Sequence, residues 1–96
     1  MTTADIILRL TGQHDALRTL GVATLRLFGS ASRDNATPAS DVDFIVEFSD
    51  PPTFDRYMDL KLHLEQVLGL RVDLATEAAI RPELRESIER DAIRVA

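Results

Sequence analysis

Two acidic residues, Asp41 and Asp43, are separated by one residue at the start of an apolar segment. On a strand, residues two apart project from the same face, with their backbones about 6–7 Å apart. Two such carboxylates could converge on a pair of Mg²⁺ ions, which lie about 3.5–4 Å apart in two-metal sites. Taken alone, however, the Asp-x-Asp pattern is more typical of a solvated entry into a strand.

A Gly-Ser pair, Gly29-Ser30, precedes these acids and follows a short apolar segment. A strand that turns into a helix at Gly presents free backbone N–H groups, and Gly allows a phosphate to approach them closely. Ser30 adds a hydroxyl donor, and Arg33 could reach the same anion. The pair is weak evidence by itself, because many helices begin at Ser merely as a cap.

A third acid, Asp73, lies between Val72 and Leu74 in a segment with strand character. A carboxylate in mid-strand is unfavourable unless it faces water or a functional surface. If this strand neighbours the Asp41 strand, three carboxylates share one face. The third could then bind a metal ion that activates an attacking hydroxyl, or act as its base. The spacing alone fits equally well a strand without a functional site, in which Arg71 and Asp73 lie on the solvent-exposed face.

The elements that must position these residues follow from periodicity and from Gly and Pro positions. We expect a helix over 2–20, weakened or divided at Gly12. We then expect strands at 24–28, 41–48 and 70–75, short helical turns at 30–35, and helices at 54–68 and 82–91. A short edge strand is expected near 93–95. The predicted fold class is α/β (α+β), a small mixed β-sheet with helices packed on it. The apolar face of the 54–68 helix is expected to comprise Phe54, Met58, Leu62, Leu64, Val67 and Leu68.

Composition limits the class of protein. The 96 residues fit a single domain, 1–96, with a modest core. The absence of cysteine excludes disulfides and thiolate metal sites. No long apolar run or signal peptide is present, so we expect a cytoplasmic protein with no membrane partner. A formal net charge of −5 argues against nucleic acid as a direct partner.

The combined pattern resembles the signature of the DNA polymerase β-like nucleotidyltransferases, and more narrowly the minimal nucleotidyltransferase (MNT) proteins. The resemblance rests on the segments 27–30 and 40–48 with Arg33 between them, and it continues through 64–69, Val72-Asp73-Leu74 and Leu84, Ile88 and Ile93. It therefore covers nearly the whole chain.

This resemblance implies a polymerase β-like core that transfers a nucleoside monophosphate from a nucleoside triphosphate to a hydroxyl, with two Mg²⁺ ions. By matching positions, Gly29 and Ser30 would hold the triphosphate, with Arg33 as a further phosphate contact. Asp41, Asp43 and Asp73 would be the catalytic, metal-binding triad. MNT proteins commonly form a hetero-oligomer with a HEPN ribonuclease toxin. As antitoxins, they transfer AMP from ATP to a tyrosine of that toxin.

Three other functions compete with this interpretation. The chain could neutralise a toxin by binding alone, or it could modify a small molecule or an RNA end. It could also be a HEPN-like nuclease itself, since Arg9 with His14 and Arg56 with His63 fit a loose Arg-His pattern. That pattern arises easily by chance, and the chain is too rich in strands for a helical bundle. Tyr57, the only tyrosine, could be self-modified or could pack on its helix.

Overall fold

The computed structural model describes residues 2–28 and 42–96 of the chain. Within these residues the elements, in chain order, are α1 (Thr3–Thr11), α2 (His14–Thr19), β1 (Val22–Phe28), β2 (Val42–Phe48), α3 (Phe54–Leu68), β3 (Val72–Thr76), a 3₁₀ turn (Glu77–Ala79), α4 (Pro82–Asp91) and β4 (Ile93–Arg94).

The described strands form one mixed sheet in the order β3-β2-β1-β4. Strand β1 is antiparallel to both β2 and β4, whereas β2 and β3 run parallel. Helix α3 makes the crossover between these parallel strands, as a parallel pair requires. The predicted edge strand near 93–95 is confirmed as β4. The predicted fold class, a small mixed sheet with helices packed on it, is confirmed as well.

Alternation along the strands divides the sheet into two different faces. Apolar residues of β1, β2 and β3 on one face pack against α1, α2 and α3 and form the main core. Its fully buried members include Leu27, Phe44 and Val46 from the strands. The opposite face carries Asp43 on β2 and Asp73 on β3, as the period of two predicts.

The first helical segment is divided where the sequence predicts. Helix α1 ends at Thr11 with Gly12 as its C-cap, and α2 begins at His14. Thr2 caps α1 through a capping box: its hydroxyl accepts a hydrogen bond from the Asp5 backbone N–H, and its own N–H donates to the Asp5 carboxylate. A glycine in a helix interior is unfavourable, so the break falls at Gly12 rather than at its neighbours.

The bounds predicted for α3 are correct, but the predicted apolar face is partly wrong. Leu60, Leu64 and Leu68, spaced four apart, are the residues that α3 buries in the core. Phe54 is 75% exposed and Leu62 is 56% exposed. Periodicity allowed both stripes, since each has helical spacing, and packing against the sheet decided between them.

Side chains of α3 also cover the outer edge of β3. The Arg71 carbonyl accepts a bond from Val42 of β2, so the Val72 N–H and the Leu74 carbonyl point to the opposite, open side. The Glu65 carboxylate accepts the bond from the Val72 N–H, 3.0 Å away, and the Tyr57 hydroxyl donates to the Leu74 carbonyl. Both polar groups are thus satisfied where an edge strand could otherwise pair with another chain.

No helix within the described residues is long and apolar enough to cross a membrane.

Candidate active site

Asp43 and Asp73 are register partners on the parallel strands β2 and β3. Neighbouring strands lie roughly 4.8 Å apart, and register partners project from the same face. Asp43 is half-buried and Asp73 is exposed, so both carboxylates have access to solvent. Sequence spacing left open whether the two strands were neighbours, and the parallel register places their two acids side by side.

Asp43 also pairs in register with Phe28, the last residue of β1. Phe28, Asp43 and Asp73 therefore form one row across three strands, which we call the acidic row. Phe28 is the last residue of β1 and directly precedes the Gly-Ser pair in the sequence. The C-terminal end of β1 and the N-terminal ends of β2 and β3 thus lie together at the same side of the sheet.

A second row lies two residues away from the acidic row on each strand. It comprises Arg26, Ile45 and Ala75, which are again register partners. The Arg26 guanidinium donates to the Glu77 carboxylate, 2.8 Å away, in a half-buried ion pair that spans from β1 to the 3₁₀ turn. This ion pair ties the segment before α4 to the sheet face that bears the carboxylates.

A pocket of about 370 Å³ opens beside the acidic row. It is lined by Asp43 and Asp73, by Ile45 and by residues of the segment from the 3₁₀ turn into α4. Two other depressions, of about 430 and 570 Å³, lie elsewhere on the surface and are lined by neither of these two acids. The pocket beside the acidic row is therefore where a ligand could meet the paired carboxylates.

Four of the predicted site residues, Gly29, Ser30, Arg33 and Asp41, lie outside the described residues. Their predicted roles in phosphate and metal binding stay predictions. Within residues 2–28 and 42–96, no group of three or more acidic, histidine or cysteine side chains could hold a metal ion. The Asp43–Asp73 pair is the part of the predicted triad that the structure brings together.

Electrostatics make the pair suitable for a cation. Like charges directly opposite one another on neighbouring strands are destabilising, by up to about 1 kcal/mol relative to neutral pairs. A divalent cation between the carboxylates would reverse the sign of this interaction, and hard oxygen donors are the ligands that Mg²⁺ prefers. The chemistry of the two donors thus fits Mg²⁺ with further ligands from water, phosphate and a third carboxylate.

Other polar residues considered from the sequence have structural roles. The Arg9 guanidinium donates to the Leu68 carbonyl, and the Arg56 guanidinium donates to the Thr19 carbonyl. The His63 ring lies 3.0 Å from the amide oxygen of Gln13. These contacts join helices and loops around the core, so Arg9, Arg56 and His63 of the loose Arg-His pattern have structural roles.

The chain matches the nucleotidyltransferase domain family over residues 11–95. It belongs to that family. It is 33% identical to the protein adenylyltransferase MntA of Thermococcus cleftensis, over 99% of this chain and 97% of that protein. It is also 44% identical to a Methanocaldococcus jannaschii protein whose name assigns it provisionally to the protein adenylyltransferases, over 77% of each chain. The prediction of a nucleotidyltransferase enzyme is confirmed.

Solved structures show the same fold. One, described provisionally as a minimal nucleotidyltransferase, is 35% identical and superimposes with a TM-score of 0.84, covering 97% of this chain and 95% of that one. Another contains a tri-AMPylated HEPN toxin of Shewanella oneidensis in complex with an MNT antitoxin. It superimposes with a TM-score of 0.67 at 21% identity, covering 93% of this chain and 70% of that one. The resemblance to the MNT group is confirmed.

Sequence reasoning missed the wall of the pocket. Leu84 and Ile88 are four residues apart on α4, which marks a helix face, but nothing in the spacing assigns that face to the carboxylates. The Arg26–Glu77 ion pair was also missed, because its members are distant in the chain and neither belongs to a motif.

Proposed function

We propose that this nucleotidyltransferase is the antitoxin of a toxin–antitoxin pair and transfers AMP from ATP to a tyrosine hydroxyl of a HEPN ribonuclease toxin. The observation that carries the proposal is the register pairing of Asp43 with Asp73 beside an open pocket. Metal-dependent transfer to a hydroxyl needs several carboxylates close together. This pairing brings two of them together from separate parts of the chain.

The chain's own residues have distinct tasks in this reaction. Gly29 and Ser30 hold the triphosphate, with Arg33 as a further phosphate contact. Asp41 and Asp43 would hold the metal ions beside the triphosphate, and Asp73 accepts the proton of the attacking hydroxyl or orients that hydroxyl. A bond forms between the hydroxyl oxygen and the α-phosphorus, the bond from the α-phosphorus to the bridging oxygen breaks, and pyrophosphate leaves.

Asp41, Asp43 and Asp73 would hold two Mg²⁺ ions. When bound, these ions lower the pKa of the attacking hydroxyl and neutralise the charge that develops on the phosphoryl and leaving oxygens. Asp43 and Asp73 suit this task, because both have solvent access and stand next to each other on one face. The half-buried position of Asp43 fixes its side chain better than full exposure would.

Support for a protein acceptor comes from the relatives. The Thermococcus cleftensis relative is a protein adenylyltransferase that aligns over almost the whole of this chain. The similar fold in the Shewanella oneidensis complex belongs to an antitoxin bound to a modified HEPN toxin. A net charge of −5 argues against an RNA end as acceptor, since phosphate recognition requires surplus basic residues.

The test is to co-purify the protein with the product of its neighbouring reading frame, add ATP and Mg²⁺, and record intact masses of both chains. We expect adenylate-sized increments on the partner and none with the Asp41→Asn, Asp43→Asn double variant. An exposed-acid variant, Asp59→Asn, serves as the matched control and should behave like the wild type.

A stable complex without any increment would contradict catalysis on this partner. It would favour an antitoxin that neutralises by binding alone, which is the first alternative. Increments on added RNA or on a small molecule, with none on the partner, would favour the second. An increment on the antitoxin chain itself would point to Tyr57, whose hydroxyl already donates to the Leu74 carbonyl.

A further inference from the structure

The floor of the pocket beside the acidic row has a charged part and an apolar part. Its first row contains Asp43 and Asp73, and its second row contains Ile45 and Ala75, which are register partners on the same two strands. Ile45 is only 4% exposed, although it lies on the face opposite to the main core. The floor therefore changes from charged to apolar within two residues along each strand.

The wall of the pocket is also apolar. It comes from Ile80, at the end of the 3₁₀ turn, and from Leu84 and Ile88, one turn apart on α4. Ile88 is buried, whereas Leu84 is 48% exposed. The burial gradient places Ile88 at the base of the wall and Leu84 near its rim, where a ligand would pass.

Among the described residues that line this pocket, the polar side chains are those of Asp43, Asp73 and Arg81. A nucleobase carries hydrogen-bond donors and acceptors around its edge, and burying them without partners is unfavourable. A phenol ring is apolar except at one hydroxyl. The face of the ring attracts a nearby guanidinium through a cation–π interaction. The described part of the lining therefore favours a phenol over a base.

We propose that this pocket, which we call the α4 pocket, receives the ring of the tyrosine that the enzyme modifies. The ring packs against Ile80 and Leu84, and its hydroxyl points to Asp43 and Asp73. The identity of the ring as an acceptor rests on the proposed function. Leu84 and Ile80 are then specificity-determining residues, because they select an aromatic hydroxyl over a serine or threonine hydroxyl.

The reaction at this position balances without a further reactant. The phenolic oxygen forms the bond to the α-phosphorus of ATP, pyrophosphate leaves with the electrons of the broken bond, and the phenolic proton passes to the Asp73 carboxylate. The ring stays in the pocket throughout, so the pocket fixes the direction from which the oxygen approaches. Such orientation is one of the larger contributions to catalysis.

The first test needs no transfer activity. The full chain, labelled with ¹³C at isoleucine and leucine methyl groups, is titrated with N-acetyltyrosinamide in the absence of nucleotide. We expect saturable shifts at Ile45, Ile80 and Ile88 methyls. Affinity should fall about tenfold or more in Leu84→Gln and stay unchanged in Leu8→Gln. Leu8 is 73% exposed on α1, and it controls for adding a polar group to a helix surface.

The outcomes separate the pocket from the reaction. Absence of shifts at these methyls, or equal weakening by both variants, would overturn the proposal. So would displacement of the tyrosine amide by adenosine with shifts at the same methyls, since the pocket would then hold the base. In the transfer assay, Leu84→Gln should raise KM for the protein acceptor about tenfold and leave KM for ATP unchanged. If the wild type transfers nothing, the proposed function fails while the titration still decides the pocket.

Discussion

Asp43 and Asp73 stand side by side in the parallel register of β2 and β3, although the fifteen-residue helix α3 separates their strands in the chain. Like charges at register positions of neighbouring strands are unfavourable by themselves. The pair is the part of the proposed metal site that lies within the described residues, and a bound divalent cation would offset this repulsion.

Replacing the third acid should abolish transfer without disturbing the fold. Asp73→Asn keeps the size of the side chain but removes the charge and the proton acceptor. We expect the rate of AMP transfer to fall about 10²–10⁴-fold, the range of a lost general base. Initial rates with a saturating protein acceptor measure this loss. Asp59→Asn should retain the wild-type rate, and a similar loss there would show that exposed acids matter only through net charge.

The same acids should affect stability in opposite directions with and without magnesium. In EDTA, Asp73→Asn should raise the free energy of unfolding, by up to about 1 kcal/mol, because a like-charge repulsion disappears. Asp43→Asn removes the other proposed metal ligand and is compared with it in Mg²⁺. With Mg²⁺ at 100 times its Kd, the wild type should gain about 2.7 kcal/mol and the variants much less. Urea denaturation under both conditions measures the two effects. Equal stabilisation of all three proteins by Mg²⁺ would place the cation elsewhere.

Two leucines of α3 test which stripe of the helix faces the core. Leu64 is fully buried, so Leu64→Ala should lower the free energy of unfolding by about 2–5 kcal/mol. Leu62 is 56% exposed, so Leu62→Ala should change it by less than about 0.5 kcal/mol. Chemical denaturation of both variants makes the comparison. A large loss from Leu62→Ala would show that the other stripe packs on the sheet.

The hydroxyl of Tyr57 should matter for stability and not for the chemistry. Tyr57→Phe removes the hydrogen bond to the Leu74 carbonyl at the outer edge of β3 and leaves the ring in place. We expect a loss of about 0.5–1.5 kcal/mol in the free energy of unfolding and an unchanged rate of transfer to the partner. Thermal denaturation and the transfer assay are the two measurements. Loss of an adenylate increment from the chain itself in Tyr57→Phe would instead identify this residue as a modified site.

Acid should weaken the start of α1. The hydrogen bond from the Thr2 backbone N–H lowers the pKa of the Asp5 carboxyl below its ordinary value, with the Thr2 hydroxyl contributing next. A lowered pKa in the folded state means that Asp5 stabilises the fold above its ordinary pKa of 3.8. This contribution disappears as the pH falls through the lower, folded value. Asp5→Asn should flatten this acid dependence, measured by denaturation between pH 5 and about 2. An identical pH profile in the variant would show that the capping box does not form.

The candidate acids could be located in the sequence because a charged residue in an apolar strand has a local signature. A carboxylate at mid-strand, such as Asp73 between Val72 and Leu74, has to face water, and alternation fixes which neighbours are buried. The bounds of α3 follow in the same way from Thr53 as its N-cap and from Gly69, which ends it in a left-handed conformation. These features depend on residues close together in the chain.

What only the tertiary structure decided is which distant residues meet. The sequence by itself determined the elements, the capping residues and the candidate acids. The register that sets Asp43 against Asp73 and the choice of Leu60, Leu64 and Leu68 over Phe54 and Leu62 came from packing. So did the position of Leu84 beside the acidic row. The physical reason is that helical and strand periods fix faces within each element, whereas burial of apolar area across elements selects the faces that pair.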